Sequence, residues 1–478
     1  MARLARQPAT RLQLSGHRFL IRRLAHALVR GDARMLDDPI RAQSVSFGAG
    51  CVLAVLAIVA CLVLVFVRPG SGLGSAPILL GRDSGALHVR VGGTVHPVLN
   101  LASARLIAGS PAEPVLVPDT AIAAAKRGPL LGIPGAPTRI DRPLAIDETS
   151  WAVCDAGEST ALIAARSFDG LAPLPRATAL LVVPRGETAA TTYLLFDGVR
   201  AAVDLRDIAV LRALRMEGIQ PLPVSRALLD SLPELPAVRA PLIADAGTPG
   251  PPMLGGLAVG TVVRVMRTSP GESAQIDGSY ADYHLVLADG LQRIDRVVAD
   301  LVRFTVAQPG GEPPVVAAAA AADAPLVESL AVATVPHRVQ RHPGAVACGA
   351  WDPTRPTSGA KTTLLVGDSL PAGGLNLAQA DEAGPNIDTV LIPAGRSAYV
   401  RATSIADNPQ DQGPCYLVTD LGVLFGIHDD TAAQHLGLAA PAVPAPWPML
   451  ARLPRGPELS GDAASVMRDG VTVGRALP

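Results

Sequence analysis

The chain has 478 residues, and its 41 basic and 42 acidic side chains leave a net charge of −1. A net charge so close to zero argues against a nucleic-acid-binding protein, because that class needs a basic face to contact phosphates. The hydrophobic content of 49% excludes general disorder, and the length is sufficient for more than one domain.

The first 43 residues are basic, with nine Arg and three Asp, and they precede an uncharged apolar run at 44–67. A helix over 45–67 would be about 35 Å long, which is enough to span a bilayer. Basic flanks stay on the cytoplasmic side. We therefore predict a cytoplasmic N-terminus, a single transmembrane helix and an exported remainder. A cleaved signal peptide is the alternative, but its basic region and apolar run would both be shorter.

The basic region 1–43 also contains the segment GHRFLIRRLAHALVR, which predicts an amphipathic helix capped by Ser15. Its predicted apolar face consists of Phe19, Leu20, Leu24 and Leu28. A basic amphipathic helix can lie on anionic lipid. The same face can equally dock a protein partner through a few apolar anchors. The sequence leaves both possibilities open, and we predict these four side chains as the docking residues.

Three of the five cysteines lie in the part predicted to be exported, where disulfides persist. The sequences Trp151-Ala-Val-Cys154 and Cys348-Gly-Ala-Trp351 mirror each other. We therefore predict a Cys154–Cys348 disulfide packed against the two indoles, with Cys415 left as a buried free thiol. Zinc binding is the competing interpretation, but the cysteines lack the CxxC spacing of a zinc site.

Four stretches share the order strand, turn, strand, helix. They lie near 78–107 (with the strands and helix at 87–107), 193–214, 283–304 and 416–438. Asp-Gly or Gly-Gly dipeptides predict their hairpin turns, and Asp204, Asp295 and Asp429 are predicted helix N-caps. Units this small cannot bury their own hydrophobic faces. We expect them to pack on a central sheet built from strands at 161–165, 178–184, 362–367 and 389–393.

These elements predict an α+β protein. It comprises an N-terminal amphipathic helix, one transmembrane helix and a β-rich exported domain at 68–440, with four repeats around a central sheet. The first and last repeats should lie close together. The segment 308–325 has low complexity and is expected to be a linker. The proline-rich segment 441–478 is expected to be an extended C-terminal tail.

Several segments together resemble the EccB family, the membrane-anchored core component of type VII (ESX) secretion systems. They are LNLASARLI (99–107), RGPLLGIPGAP (127–137), SWAVCD (150–155) and SGHRFLIRRLAHAL (15–28), combined with the single apolar run. The resemblance implies a single-pass structural subunit of an inner (plasma) membrane complex, which joins a periplasmic scaffold to a cytoplasmic motor. It also implies EccC-, EccD- and EccE-type partners, self-association through the exported domain and a disulfide at Cys154 and Cys348.

Some members of this family are called ATPases, but a phosphate-binding loop requires GxxxxGK[ST]. Lys126 is followed by Arg127, and before Lys361 the two glycine positions hold Arg355 and Ala360. We therefore predict no catalytic, cofactor-binding or metal site, no cofactor and no nucleic-acid partner. A membrane-anchored exported hydrolase or ATPase remains the alternative function.

Two other motifs resemble catalytic or metal-binding sequences, but structural roles are predicted for both. Residues 367–370 spell the GDSL of an esterase family, but that family has its serine near the start of the domain, followed by a later Asp-x-x-His. Here the serine comes late and the acids near His435 do not fit that spacing, so a turn is predicted. His428-Asp429-Asp430 suggests a metal site only with further ligands, and a helix cap at Asp429 or Asp430 is favoured.

Overall fold

The computed structural model describes residues 10–31, 39–67, 73–187, 191–266, 281–305, 311–331, 335–336, 338–340, 344–355, 362–405, 413–438 and 441–468. The chain forms two compact units, Met1–Gly74 and Ser75–Pro478. The described residues of the first unit form the helices α1 (Arg11–Arg30) and α2 (Pro39–Val67). Within α2, the stretch Ser44–Val63 is long and apolar enough to cross a membrane.

The first repeat of the second unit contains four strands and two helices: β1 (Ile78–Gly81), β2 (Leu87–Val91), β3 (Thr94–Pro97), α3 (Leu101–Ala108), β4 (Val115–Val117) and α4 (Asp119–Ala124). Gly92 and Gly93 form the turn between β2 and β3, and both have positive φ angles (54° and 81°). Such a turn matches the twist of a two-residue hairpin. The side chain of Asn100 accepts a hydrogen bond from Ser103 N and thereby caps α3.

The chain continues with β5 (Arg142–Pro143), β6 (Ser150–Ala156), β7 (Ser159–Ala165) and β8 (Leu171–Pro173). The second repeat comprises β9 (Thr178–Pro184), β10 (Thr192–Phe196), β11 (Val199–Val203), α5 (Ile208–Ala213), β12 (Leu222–Val224), α6 (Arg226–Asp230) and the added strand β13 (Glu234–Val238). The third comprises β14 (Val262–Met266), β15 (Ala281–Val286), β16 (Leu291–Ile294), α7 (Arg296–Thr305), β17 (Val315–Val316) and α8 (Ala318–Asp323).

After the third repeat come β18 (Arg338–Gln340), β19 (Val346–Trp351), β20 (Thr362–Gly367), β21 (Leu375–Asn376) and β22 (Thr389–Leu391). The fourth repeat comprises β23 (Arg396–Thr403), β24 (Cys415–Val418), β25 (Leu424–Ile427), α9 (Asp430–Leu436), β26 (Val443–Pro446) and α10 (Trp447–Leu450), and α11 (Gly461–Ala464) follows. Short 3-10 helices lie at Ile146–Glu148 and Pro252–Leu254.

All four repeats have the same topology, with the strands in the order third, second, first, fourth. The first three strands are antiparallel, and the fourth returns parallel to the first: β1 with β4, β9 with β12, β14 with β17 and β23 with β26. Each repeat is therefore larger than the strand-turn-strand-helix unit that the sequence predicts. It also contains a first strand before the predicted hairpin, a fourth strand after the helix, and a short helix after that fourth strand.

This larger repeat changes the interpretation of two segments. The expected extended tail is wrong for the described residues after 441, because Val443–Pro446 is the fourth strand of the last repeat. Met449 and Leu450 in α10 are fully buried against the core. The alanine run of the expected linker at 308–325 likewise forms α8 of the third repeat.

The central sheet has seven strands in the order β21-β22-β7-β6-β19-β20-β8. Three of the four predicted central strands lie in it, but 178–184 is instead β9, the first strand of the second repeat. Both faces of β9 are buried: Leu180 and Val182 pack toward the central sheet, and Ala179 and Leu181 pack toward the third repeat. A strand buried on both faces is apolar along its length, and such a pattern does not reveal which sheet it joins.

The repeats pack in two pairs on this framework. Helices α5 and α7 bring the second and third repeats together, and α3 with α9 bring the first and fourth together. The expected proximity of the first and last repeats is therefore seen. The main core cluster lies between one face of the central sheet and side chains of the second and fourth repeats. The fold is α+β, as the sequence predicts.

Candidate assembly surfaces

The predicted disulfide is confirmed, and it joins adjacent strands at the middle of the central sheet. Cys154 in β6 lies directly opposite Cys348 in β19, and Trp151 lies opposite Trp351. The mirrored motifs are therefore paired positions of one antiparallel ladder. The expected packing of the bridge on the indoles is wrong. Trp151 and Trp351 belong to the main core, whereas both cysteines face the opposite side of the sheet. A spacing of three residues reverses the face in a strand.

A buried ion pair lies beside the disulfide. Asp155 and Arg185 have side chains that are 5% and 6% exposed, with Arg185 Nη2 at 3.1 Å from Asp155 Oδ1. Thr160 Oγ1 donates to Asp155 at 2.9 Å and accepts from Arg185 at 2.8 Å. The backbone N–H of Ser225, at the start of α6, donates to Asp155 Oδ2 at 2.5 Å. Burial raises the pKa of Asp155, although Arg185 opposes this change. The pair ties the central sheet to the second repeat.

The sequence contains a local signal for this network. Asp155 is the one charged residue of the strand SWAVCDA, whose other residues are mostly apolar, and buried carboxylates require a partner. Asp388 extends the network, since its Oδ2 accepts from Thr160 N at 2.7 Å. Its Oδ1 accepts from the N–H groups of Asp381 and Glu382.

A buried arginine links the first and fourth repeats. Arg105 in α3 is buried, and its Nη1 donates to the carbonyl of Leu436 at 3.0 Å. Leu436 is the last residue of α9, where helix carbonyls have no partner within the helix. The other terminal nitrogen of Arg105 contacts Glu113 at 2.6 Å. One arginine therefore links the first and the last repeats of the second unit.

Two buried histidines occupy second strands of repeats. His88 lies in β2 and His284 in β15, with exposures of 5% and 8%. Burial lowers the pKa of both imidazoles, partly offset by hydrogen bonds to the backbone of Ala86 and Asp282 respectively. The charged neighbours of His88 are Arg127 and Asp119, and those of His284 are Asp282 and Arg293. Both residues are thus held as neutral imidazoles near pH 7.

The amphipathic helix forms but begins earlier than predicted. Thr10, and not Ser15, is the N-cap, and it makes a reciprocal capping box with Gln13. Ser15 lies inside the helix, where its hydroxyl donates to the carbonyl of Leu12 at 3.0 Å. The helix ends at Gly31, which adopts the left-handed conformation (φ 67°).

The predicted docking residues are exposed, but they do not form one face. Successive residues of a helix are rotated by about 100°. Leu20, Leu24 and Leu28 therefore form one stripe, with exposures of 58%, 64% and 79%. Phe19 lies about 140° from Leu24, on the side where Leu12 also lies. We call Leu20, Leu24 and Leu28 the leucine stripe.

The polar motifs adopt structural roles where they are described. Residues 368–369 form a bend after β20, as predicted for the GDSL sequence. Asp429 caps α9 by accepting from Ala432 N at 2.7 Å. The predicted cap at Asp204 is wrong, since Asp207 accepts from the N–H groups at the start of α5. Lys361 lies outside the described residues.

Comparisons with known proteins agree with this architecture. A family model described as "Type VII secretion system ESX-1, transport TM domain B" (EccB) matches residues 6–473. A relative named "ESX-3 secretion system ATPase EccB3" from Mycolicibacterium smegmatis is 36% identical, over 97% of this chain and 91% of its own length. An ESX-5 relative from Mycobacterium tuberculosis, named an ATPase and EccB5, is 33% identical over 96% and 94%.

Solved structures are similar as well. A chain in an intact ESX-5 inner membrane complex matches with a TM-score of 0.72 and 30% identity, covering 99% of this chain and 98% of that one. A chain of an EccB3 dimer from the ESX-3 core complex matches with a TM-score of 0.68 and 33% identity. It covers 82% of this chain and 100% of that one.

Proposed function

Because this chain belongs to the EccB family of type VII secretion systems, we propose that it is a structural subunit of the inner-membrane core complex of such a system. The observation that carries the proposal is the similarity along nearly the whole chain to a subunit of an intact inner membrane complex. A scaffold role also fits the second unit. Its disulfide, its buried Asp155–Arg185 ion pair and the hydrogen bond of Arg105 to Leu436 join parts of the chain that are distant in sequence.

The proposed orientation has the basic N-terminus in the cytoplasm, one crossing through α2 and the repeats in the periplasm. The excess of Arg before the apolar run supports it, because positive flanks stay inside. The disulfide supports it too, since such bonds persist in oxidising compartments. The anchor would thus connect the exported scaffold with the cytoplasmic motor.

The partners proposed are EccC-, EccD- and EccE-type subunits, the membrane and further copies of this chain. The leucine stripe is the proposed cytoplasmic docking surface, and Phe19 would add a separate contact on another side of α1. Contact with a protein would bury these side chains in specific pockets. Contact with lipid would depend mainly on the total apolar area and on the Arg charge.

The test is recovery of the complex from membranes with tagged full-length protein. Leu20→Asp combined with Leu24→Asp should abolish recovery of the partner subunits. Val29→Asp, an exposed position at least about 140° from both leucines, should leave recovery unchanged. Phe19→Leu should weaken recovery by a smaller factor. Equal losses from Val29→Asp and from the double variant would instead indicate a membrane-surface helix, with the partner contacts elsewhere.

The second candidate function is that of an exported hydrolase or ATPase, which the names of the relatives favour. The sequence lacks the phosphate-binding loop that this chemistry commonly uses. This candidate would be favoured if the purified protein hydrolysed ATP and the Lys361→Ala variant did not.

A further inference from the structure

A cavity of about 610 Å³ lies at the junction of the second and third repeats. One wall is β13 with the residues that follow it to 242, a second is α7 and a third is the segment near Leu330. Apart from Arg239, every lining residue that the structure describes is aliphatic or proline. The volume is within the range of roughly 300–1,000 Å³ that is usual for small-molecule sites.

The third wall is held in place by a buried amide. Gln292 in β16 is 4% exposed, and its Nε2 donates to the carbonyl of Leu330 at 2.6 Å. Its Oε1 accepts from the N–H of Leu330 at 2.8 Å. Both backbone groups of Leu330 are therefore fixed, and Val298 and Leu301 of α7 are packed in the core cluster. The cavity is preformed, which lowers the ordering cost of binding.

Arg239 is the one cationic side chain among the described residues that line this cavity. It is exposed, and it makes no ion pair with any residue that the structure describes. An aliphatic cavity with a guanidinium at its wall fits an alkyl chain that ends in an anion. An extended peptide fits less well, because Pro236 and Pro241 in the same wall have no N–H to donate to a peptide backbone.

We propose that this cavity binds a single-chain lipid with an anionic head, of the fatty-acid class, with the chain between β13 and α7 and the carboxylate at Arg239. The proposal is independent of the docking role of α1. It gives the repeats a binding site for a single-chain lipid, which the membrane that the chain spans could supply.

The test uses full-length protein in nanodiscs with a palmitate that carries a photoreactive diazirine, and the labelled peptides are mapped by mass spectrometry. We expect saturable labelling of peptides that contain 235–242, 298–301 or 330–331. Ala331→Phe, which fills the cavity from an exposed position, should reduce this labelling at least about fivefold. Arg239→Gln should reduce it roughly three- to tenfold, and Arg82→Gln in the first repeat should not.

The corresponding diazirine fatty alcohol has the same chain and no charge, so its labelling of the cavity peptides should be weaker than that of palmitate by the same factor. An intact Cys154–Cys348 bond and unchanged tryptophan fluorescence will establish that each variant is folded. Labelling confined to the anchor at 44–67, or cavity labelling unaffected by Ala331→Phe, would overturn the site. Equal labelling by the alcohol and by palmitate would overturn the anionic class of ligand.

Discussion

Removing the carboxylate of Asp155 should destabilise the second unit, Ser75–Pro478, more than any substitution at a surface ion pair. Asp155→Ala would leave the guanidinium of Arg185 buried without its counter-charge and would remove the acceptor of the Ser225 N–H. Breaking a buried pair in this way costs about 3–5 kcal/mol. Arg185→Met should cost a similar amount, because the buried carboxylate then loses its cation.

The two losses should not add. In the double variant no unpaired charge remains, so its loss should be smaller than the sum of the two single losses by about 1–3 kcal/mol. The assay is urea unfolding followed by tryptophan fluorescence, to which the fully buried Trp151 and Trp351 respond. The control is Arg293→Ala, at a partly exposed pair with Asp282, which should cost at most about 1 kcal/mol. Two results would refute the reasoning. One is that the losses of unfolding free energy in the two single variants add in the double variant, and the other is that they are no larger than the loss in Arg293→Ala.

The other predictions concern the disulfide, the buried histidines and the topology. Cys154→Ser and Cys348→Ser should each lower the unfolding free energy by about 2–5 kcal/mol in urea, and the double variant should be little worse, since one bond is lost. His88 has a lowered pKa when folded, so it stabilises the fold above the ordinary histidine pKa, and this stability is lost as the pH falls. His88→Gln should therefore flatten the fall in the urea midpoint between about pH 7 and pH 5, whereas an unchanged pH slope would exclude this role. A reporter active only in the cytoplasm should be silent after Pro478, and activity there would reverse the proposed orientation.

The sequence predicts the disulfide correctly for a reason that the structure makes clear. Two antiparallel strands that pair run in opposite directions, so paired positions appear in reverse order in the two sequences. Trp151 pairs with Trp351, and Cys154 pairs with Cys348. The same motif does not predict the packing partner of the bridge. That depends on the alternation of faces along a strand, which separates positions three residues apart.

The extent of the repeats was harder to predict because their last strands pair over a distance. Val443–Pro446 has the sequence VPAP, which by itself is typical of an extended segment, and its partner Arg396–Thr403 lies about 40 residues earlier. The pairing becomes visible only through comparison with β4, which follows its helix in the same way. Residues such as Arg105 give no local signal, because the carbonyl that Arg105 contacts is more than 300 residues away.

The role of this chain as a structural subunit of a secretion core complex is tested most directly by quantitative mass spectrometry. The assembly is extracted in mild detergent from cells that make tagged full-length protein at its native level. We predict EccC-, EccD- and EccE-type subunits at fixed ratios to the tagged chain, together with untagged copies of the chain when both forms are present. Recovery of the tagged chain alone, as a monomer that hydrolyses ATP, would contradict the proposed role as a structural subunit.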